Sequence, residues 1–237
     1  MLGVGMGPQH VTQEVAGALR AADYVLAARK GEDDGLLAAR RAVAGAFGLE
    51  VVEVGDPERD RAAPGGYPGA VAAWHDARVA AYEPVLRERG GTAAFLVWGD
   101  PSLYDSTIRV VARLAERLPA DYDVLPGVSA PQVLAARHRI VLHEVGRPVH
   151  VTTARRLRQA VAAGQANIVV MLGSALDLDG LGDWRIWWGA NLGTGAEELA
   201  AGRVADVLDE ITAARARAKA AAGWVMDVYL LRGPVDA

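Results

Sequence analysis

Short apolar segments alternate with amphipathic segments along almost the whole chain. In the first half, the apolar segments predict strands at residues 1–5, 24–28, 50–54, 93–98 and 122–125, and helical spacing of apolar residues predicts helices at 13–22, 69–87 and 107–118. These strands are apolar enough to be covered on both faces, which is typical of a parallel sheet. The alternation therefore predicts an α/β fold.

The second half repeats this alternation after an interruption. Gly146 and Pro148 break the pattern, and a new strand is predicted at residues 149–153. The apolar segments "NIVVML", "WRIWW" and "WVMDVYLL" then predict further strands, and the alanine-rich residues 204–222 predict a long helix. We therefore expect two α/β domains, residues 1–145 and residues 146–237.

Composition narrows the class of protein. The chain has 237 residues, of which 51% are hydrophobic, so it can bury one large core or two modest ones. The absence of cysteine excludes disulfides and thiolate metal sites, and it agrees with a cytoplasmic location. Apolar runs stay well short of the ~18 residues that a membrane helix needs, and the net charge of −4 argues against a nucleic-acid-binding face. We expect a cytoplasmic protein with neither a membrane nor a nucleic acid as partner.

Glycines cluster at the end of the first strand, in "GVGMGP" at residues 3–8. Bare backbone there lets a ligand or a helix approach closely. A nicotinamide dinucleotide fingerprint would need glycine where Pro8 stands and an acid at the end of the second strand, whereas Asp23 opens that strand. A tight turn into a helix capped by Thr12 is the simpler interpretation, and it is compatible with a ligand contact.

The segment "FLVWGDPSLYDS", residues 95–106, ends a strand with Gly99, Asp100 and Pro101. These three residues alone indicate an ordinary turn. Together with "GVGMGP" and with "LPGVSA" at residues 125–130, in that order, the chain resembles the tetrapyrrole methylases. The segments "GDPERDR", "WHDARVAAYE", "LAARHRI", "GRPVHVTT", "WWGANLGT" and "GWVMDVYLLR" are similar to the deacetylating precorrin-6A synthase branch of that family, and the resemblance extends over essentially the whole chain.

The resemblance implies two α/β domains with S-adenosyl-L-methionine in the cleft between them, no metal, and a homodimer. Matching the family motifs position by position implies a set of cofactor contacts. These are Pro8, Trp98, Gly99, Asp100, Leu103, Ser129, Ala130, Met171 and Gly193.

The implied reaction places a methyl group on C1 of a precorrin-type tetrapyrrole, precorrin-5, and releases acetate to give precorrin-6A. Methyl transfer from a sulfonium mainly requires that carbon, methyl and sulfur be held in line. Release of acetate is hydrolytic and needs a water with a base within ~3 Å of it. Tyr104 and Asp105 follow the Gly-Asp-Pro turn and are our candidates, with His75 and His138 as alternatives; Tyr104 and Asp105 also suit an ordinary helix start.

The substrate would carry many carboxylates, which arginine and lysine can bind. Arg29, Lys30, Arg137 and Arg139 lie near predicted strand ends or helix starts and are the candidate substrate contacts. Three other functions stay open: a methylase of another corrin position, a non-catalytic binding protein of the same fold, and a dehydrogenase.

Overall fold

The structure is a computed structural model that describes residues 1–31, 35–58, 66–173 and 175–234. It divides into two compact units, Met1–Val128 and Ser129–Ala237. The division lies before the expected domain boundary at residue 145, because the helix at Ala130–His138 packs on strands of the second unit. In that unit Leu134 comes within 3.1 Å of the position that a Cβ on Gly189 would take.

The first unit is built from parallel strands and the helices that connect them. Its elements are β1 (Leu2–Gly3), α1 (Gln13–Ala21), β2 (Tyr24–Arg29), α2 (Gly35–Ala46), β3 (Val51–Gly55), α3 (Gly66–Arg89), β4 (Ala93–Ala94), β5 (Leu96–Val97) and α4 (Thr107–Ala115). Strands β3, β2 and β4 form one sheet in that order, and β1 pairs with β5. All of these pairs are parallel, as the apolar strands predicted.

The structure differs from the predictions for this unit at several points. The strand predicted at 93–98 is divided into β4, which pairs with β2, and β5, which pairs with β1. The strand expected at 122–125 is wrong, since of these residues only Leu125 forms a β-bridge, to Leu2. Helix α2 was not predicted, although its buried residues Leu37 and Ala44 stand two helical turns apart.

Both faces of the first unit's strands are packed. Val15 and Leu19 of α1 are fully buried with Val25 of β2 on one face. Val79 of α3 packs with Leu26 of β2 on the other face. This two-sided burial explains why the central strand β2 is apolar from Tyr24 to Ala28, whereas the edge strand β3 is only partly buried and contains Glu53.

The second unit is a mixed five-stranded sheet with helices. Its elements are α5 (Ala130–His138), β6 (His150–Thr153), α6 (Leu157–Ala162), β7 (Asn167–Met171), β8 (Arg185–Ala190), β9 (Glu198–Arg203), α7 (Val204–Ala222) and β10 (Asp227–Arg232). The order is β6-β7-β10-β8-β9, with β6 parallel to β7 and the other pairs antiparallel. Strands β6, β7 and β8 therefore run in one direction, and their carboxyl ends lie at one edge of the sheet.

Candidate functional site

Three main-chain segments meet at the carboxyl ends of β1 and β5. Gly5 and Gly99 exchange two backbone hydrogen bonds, with N···O distances of 3.2 and 2.8 Å. A Cβ on Gly3 would lie 2.5 Å from the backbone nitrogen of Gly127, and a Cβ on Gly127 would lie 2.7 Å from the carbonyl oxygen of Gly3. These distances are too short for any side chain, so glycine is required at both positions. The structure thus brings together the three motifs on which the family resemblance rests.

Asp100 fastens two of these segments to each other. Its Oδ2 accepts a hydrogen bond from the Gly127 N–H at 2.9 Å, and its Oδ1 accepts one from the Ser102 N–H at 2.8 Å. Burial alone would raise the pKa of Asp100, but the hydrogen bonds from the Ser102 hydroxyl and from these two N–H groups hold it below its ordinary value. Asp100 therefore braces the turn as an ionised carboxylate.

The surroundings of Gly99 fit a ligand that lies against main chain. Gly99 has a φ of 76°, and a Cβ there would approach only the Sδ of Met6, at 3.7 Å. The buried indole N–H of Trp98 has no hydrogen-bond partner among the described residues. Pro8 is exposed, and Leu103 is half-buried. Gly99 therefore offers bare backbone, and the residue before it carries a buried, unsatisfied donor.

Tyr104 and Asp105 lie in the loop that leads into α4. Tyr104 has a φ of 52°, and 46% of its surface is exposed. A non-glycine residue in this left-handed region costs roughly 1–2 kcal/mol, and such strain is concentrated at functional sites. Asp105 accepts a hydrogen bond from the Thr107 N–H at 2.6 Å, so its carboxylate caps the start of α4.

The two histidines considered as bases have other surroundings. His75 on α3 is 4% exposed, and burial followed by the charges of Arg113 and Arg109 lowers its pKa. The Nε2–H of His138 donates to the carbonyl oxygen of Trp188 at 2.9 Å. The His75 ring is therefore buried in the first unit, and the half-buried His138 ring is hydrogen-bonded to β8 of the second unit.

In the second unit, Met171 and Gly193 lie at the same sheet edge. Met171 and Gly189 pair with Val228 from its two sides, so β7 and β8 end side by side. Each strand is followed by a residue in the left-handed region, Leu172 with a φ of 57° and Asn191 with a φ of 48°. Gly193, with a φ of 78°, belongs to the turn that follows β8.

Ser129 and Ala130 begin α5. The side chain of Gln132 reaches back, and its Oε1 accepts hydrogen bonds from the Ser129 N–H at 2.8 Å and from the Ser129 hydroxyl at 2.9 Å. Ser129 is the N-cap residue of α5, and its hydroxyl is used within the helix start.

Sequence reasoning missed a buried carboxylate in the second unit. The side chain of Asp227, at the start of β10, is 2% exposed and forms an ion pair with Arg215 of α7 at 2.9 Å. Its Oδ1 has no hydrogen-bond partner among the described residues. An acid in the middle of the apolar segment "WVMDVYLL" is the signal that could have revealed it.

The four cationic candidates are placed differently. Arg29 and Lys30 are exposed at the carboxyl end of β2, where the Arg29 Nε lies 3.5 Å from an oxygen of Glu53. Arg139 is exposed at the end of α5 and has a φ of 55°. Arg137, in contrast, donates from Nε to Glu197 at 2.7 Å.

Metal binding needs clustered ligand side chains and membrane crossing needs a long apolar helix, and residues 1–31, 35–58, 66–173 and 175–234 bear on both. Among those residues, no group of three or more histidines and carboxylates is arranged to hold a metal ion. None of the helices within those ranges is long and apolar enough to cross a bilayer.

Comparison with known proteins identifies the family. The family model described as Tetrapyrrole (Corrin/Porphyrin) Methylases matches residues 1–216. The chain belongs to the tetrapyrrole methylase family. This tetrapyrrole methylase is 42% identical to a protein of Sinorhizobium sp named precorrin-6A synthase [deacetylating], over an alignment that covers 100% of this chain and 95% of that protein.

Solved structures share the fold of this chain. A cobalamin synthesis related protein, CobF, of Corynebacterium diphtheriae matches with a TM-score of 0.82 and 35% identity, covering 98% of this chain and 96% of that chain. Uroporphyrin-III C-methyl transferase of Thermus thermophilus, solved in complex with S-adenosyl homocysteine, matches with a TM-score of 0.60 and 17% identity, covering 98% and 90%. The second likeness concerns the fold alone.

The main-chain packing at Gly127 predicts a large penalty for a single methyl group. We expect Gly127→Ala to lower the free energy of unfolding by about 2–3 kcal/mol, because overpacking against backbone cannot be relieved by a rotamer change. In the matched control Gly17→Ala, the new methyl meets nothing within 4 Å on α1; this variant should gain about 0.5–1 kcal/mol. Denaturant unfolding measures both, and equal effects would contradict the packing argument.

The pKa of Asp100 predicts a dependence of stability on pH. Because its folded-state pKa lies below the ordinary value of 3.8, the carboxylate stabilises the fold above that pH, and the contribution disappears as the pH falls through the folded-state value. Asp100→Asn should lose about 1–3 kcal/mol at pH 7. The difference from the parent protein should shrink below about pH 4. Urea unfolding from pH 3 to pH 7 checks this, and a constant difference would count against it.

Proposed function

We propose that this tetrapyrrole methylase is a precorrin-6A synthase, which transfers a methyl group from S-adenosyl-L-methionine to C1 of precorrin-5 and releases acetate. The observation that carries the proposal is the 42% identity, along the whole chain, to a protein of that name. The 35% identity to a cobalamin synthesis related protein supports the same pathway chemistry.

The first unit's edge supports a cofactor of this kind. S-adenosyl-L-methionine supplies a methyl group activated by its sulfonium. Gly99 offers bare main chain beside Trp98, whose indole N–H is unsatisfied, and Asp100 keeps the Gly99 and Gly127 segments fixed relative to each other. The resemblance also implies contacts at Pro8 and Leu103 of the first unit and, in the second unit, at Ser129, Ala130, Met171 and Gly193. The S-adenosyl homocysteine complex of the Thermus relative agrees with this cofactor class.

The protein's part in methyl transfer would be positioning. A main chain that cannot move holds the donor and the ring carbon in line, which lowers the barrier without an acid or a base. Release of acetate adds a water across the bond to the acetyl group. Asp105 caps α4 through one oxygen, and a carboxylate has acceptor sites for more than one donor, so Asp105 can still orient a water. Tyr104, exposed and strained beside it, would hold the acetyl oxygen or the water.

Binding of the substrate would use cations at strand and helix ends. Arg29 and Lys30 stand exposed at the carboxyl end of β2, and Arg139 stands exposed at the end of α5. Guanidinium groups bind carboxylates bidentately, which suits a ring rimmed with acetate and propionate groups. We place the protein in the cytoplasm as a homodimer.

The first test separates the proposed function from its rivals. Calorimetry should show S-adenosylhomocysteine binding with a dissociation constant in the micromolar range, about −8 kcal/mol, and no binding of NAD or NADP. Incubation with precorrin-5 and the methyl donor should add one methyl group and release one acetate per ring, measured by product mass and by an acetate assay.

Any other outcome of these binding and turnover assays indicates a different function. A methylated product without acetate identifies a methylase of another corrin position. Ligand binding without turnover identifies a binding protein. No affinity for S-adenosylhomocysteine would falsify the cofactor assignment.

Substitutions at Tyr104 and Asp105 should separate the two chemical steps. We expect Asp105→Asn to methylate the ring at close to the normal rate but to release acetate about 10²-fold more slowly, because general-base help is worth about that much. Tyr104→Phe should show a smaller loss in the same step. Single-turnover assays that follow mass and acetate separately measure this, with Asp121→Asn at an exposed position before Leu125 as the control. Normal acetate release by Asp105→Asn would remove it as the base.

A further inference from the structure

The turn that follows β8 is fixed by hydrogen bonds on its inner side. Asn191 is 1% exposed, and its side chain accepts from the Met226 N–H at 2.9 Å and donates to the carbonyl oxygen of Trp224 at 3.2 Å. The carbonyl oxygen of Asn191 accepts from the Thr194 N–H at 3.1 Å and from the Thr194 hydroxyl at 2.7 Å. The start of the turn is therefore anchored to the core of the second unit.

On the outer side of this turn, a carboxylate binds the backbone N–H of Gly193. The Oε2 of Glu197 accepts a hydrogen bond from the Gly193 N–H at 2.6 Å, and its Oε1 accepts one from the Nε of Arg137 at 2.7 Å. The side chains of Arg137 and Glu197 are 39% and 20% exposed. Glu197 thus links the turn at Gly193 to helix α5.

Both ends of this link lead to residues implied in cofactor binding. Gly193 is one of them, and α5, which carries Arg137 in its last turn, begins with Ser129 and Ala130. A short charge-assisted hydrogen bond to a main-chain N–H is stronger than a neutral one, and a guanidinium on the other oxygen keeps the carboxylate in place. The link therefore fixes two backbone segments relative to each other.

We propose that Glu197 fixes the Gly193 turn and is thereby a positioning residue for the methyl donor. Arg137 acts on the donor site through Glu197 and does not bind the substrate. This inference rests on the proposed function, because it needs a donor site at the Gly193 turn. It reassigns Arg137, which the sequence alone placed among the substrate contacts. It also gives Glu197 a role that no motif had suggested.

The neighbouring residue offers a matched control. Glu198, at the start of β9, forms an ion pair with Arg217 of α7 at 2.7 Å, with side chains 26% and 58% exposed. This pair has the same chemistry as Glu197 with Arg137, but among the described contacts it touches no backbone N–H of the turn. A loss common to both variants would reflect general charge or stability, and a loss confined to Glu197 would reflect the turn.

The experiment compares Glu197→Gln, Glu197→Ala and Glu198→Gln in the full chain. Calorimetric titration with S-adenosylhomocysteine should show affinity reduced about 3-fold by Glu197→Gln, which keeps one acceptor, and about tenfold or more by Glu197→Ala. Glu198→Gln should stay within about twofold of the parent protein, as is usual for an exposed pair. In assays, the KM for the methyl donor should rise while kcat at saturating donor is retained.

Variants of Arg137 test the second half of the proposal. Arg137→Gln should raise the KM for the methyl donor and leave the KM for the tetrapyrrole unchanged, and Arg137→Lys should restore part of the donor affinity. Combined with Glu197→Gln, Arg137→Gln should add little further loss, because the two residues form one link. A raised tetrapyrrole KM with normal donor affinity would overturn the reassignment.

The outcomes keep this inference apart from the proposed function. If the parent protein does not bind S-adenosylhomocysteine, the donor site itself is refuted and the inference falls with it. If the parent protein binds S-adenosylhomocysteine and both Glu197 variants bind it as tightly as the parent does, only the inference is refuted. Should Glu197→Ala fail to fold, Glu197→Gln carries the test, with its melting temperature compared with that of Glu198→Gln.

Discussion

The first unit depends on a close approach of bare main chains. Gly3 and Gly127 leave no room for a Cβ between them, and Gly5 and Gly99 are hydrogen-bonded across the ends of β1 and β5. The contacts at this junction are between backbone atoms, which cannot adjust by a change of rotamer. The junction therefore tolerates no intermediate packing. A ligand edge made from this junction is preorganised, which suits a reaction that needs positioning more than proton transfer.

Much of this arrangement could be predicted from the sequence, because it follows from local patterns. Helix α7 occupies residues 204–222 as its composition predicted, and Thr12 accepts from the Val15 N–H at the start of α1. The glycine motifs indicated the junction, since glycine at a strand end is typical of close backbone approach. The strand expected at 122–125 failed because its pairing depends on the single neighbour Leu2, which is a property of the tertiary structure.

Side-chain roles were less predictable, because a residue type is compatible with several partners. Arg137 and Arg139 look alike in "LAARHRI", yet Arg137 pairs with Glu197, sixty positions later in the chain, while Arg139 ends α5 in the left-handed region. Asp100 was expected both as part of a turn and as a cofactor contact, and its hydrogen bond to Gly127, 27 residues away, adds a brace that the turn motif alone does not reveal. Such pairings over long sequence separations carry no periodic signal, so a single sequence cannot assign them.

Both units use the same interaction to fix the glycine turns at the ends of their strands. In each, a carboxylate binds the main-chain N–H of a glycine turn, Asp100 at Gly127 and Glu197 at Gly193. A glycine cannot be held by packing of its own side chain, so a turn that must stay bare is fixed through its backbone. The two carboxylates differ in the partner of the second oxygen. In Asp100 this oxygen accepts from the Ser102 N–H of the same turn, whereas in Glu197 it accepts from Arg137 on helix α5. The first brace therefore joins the Asp100 turn to the Gly127 segment directly, while the second joins the Gly193 turn to α5 through an ion pair.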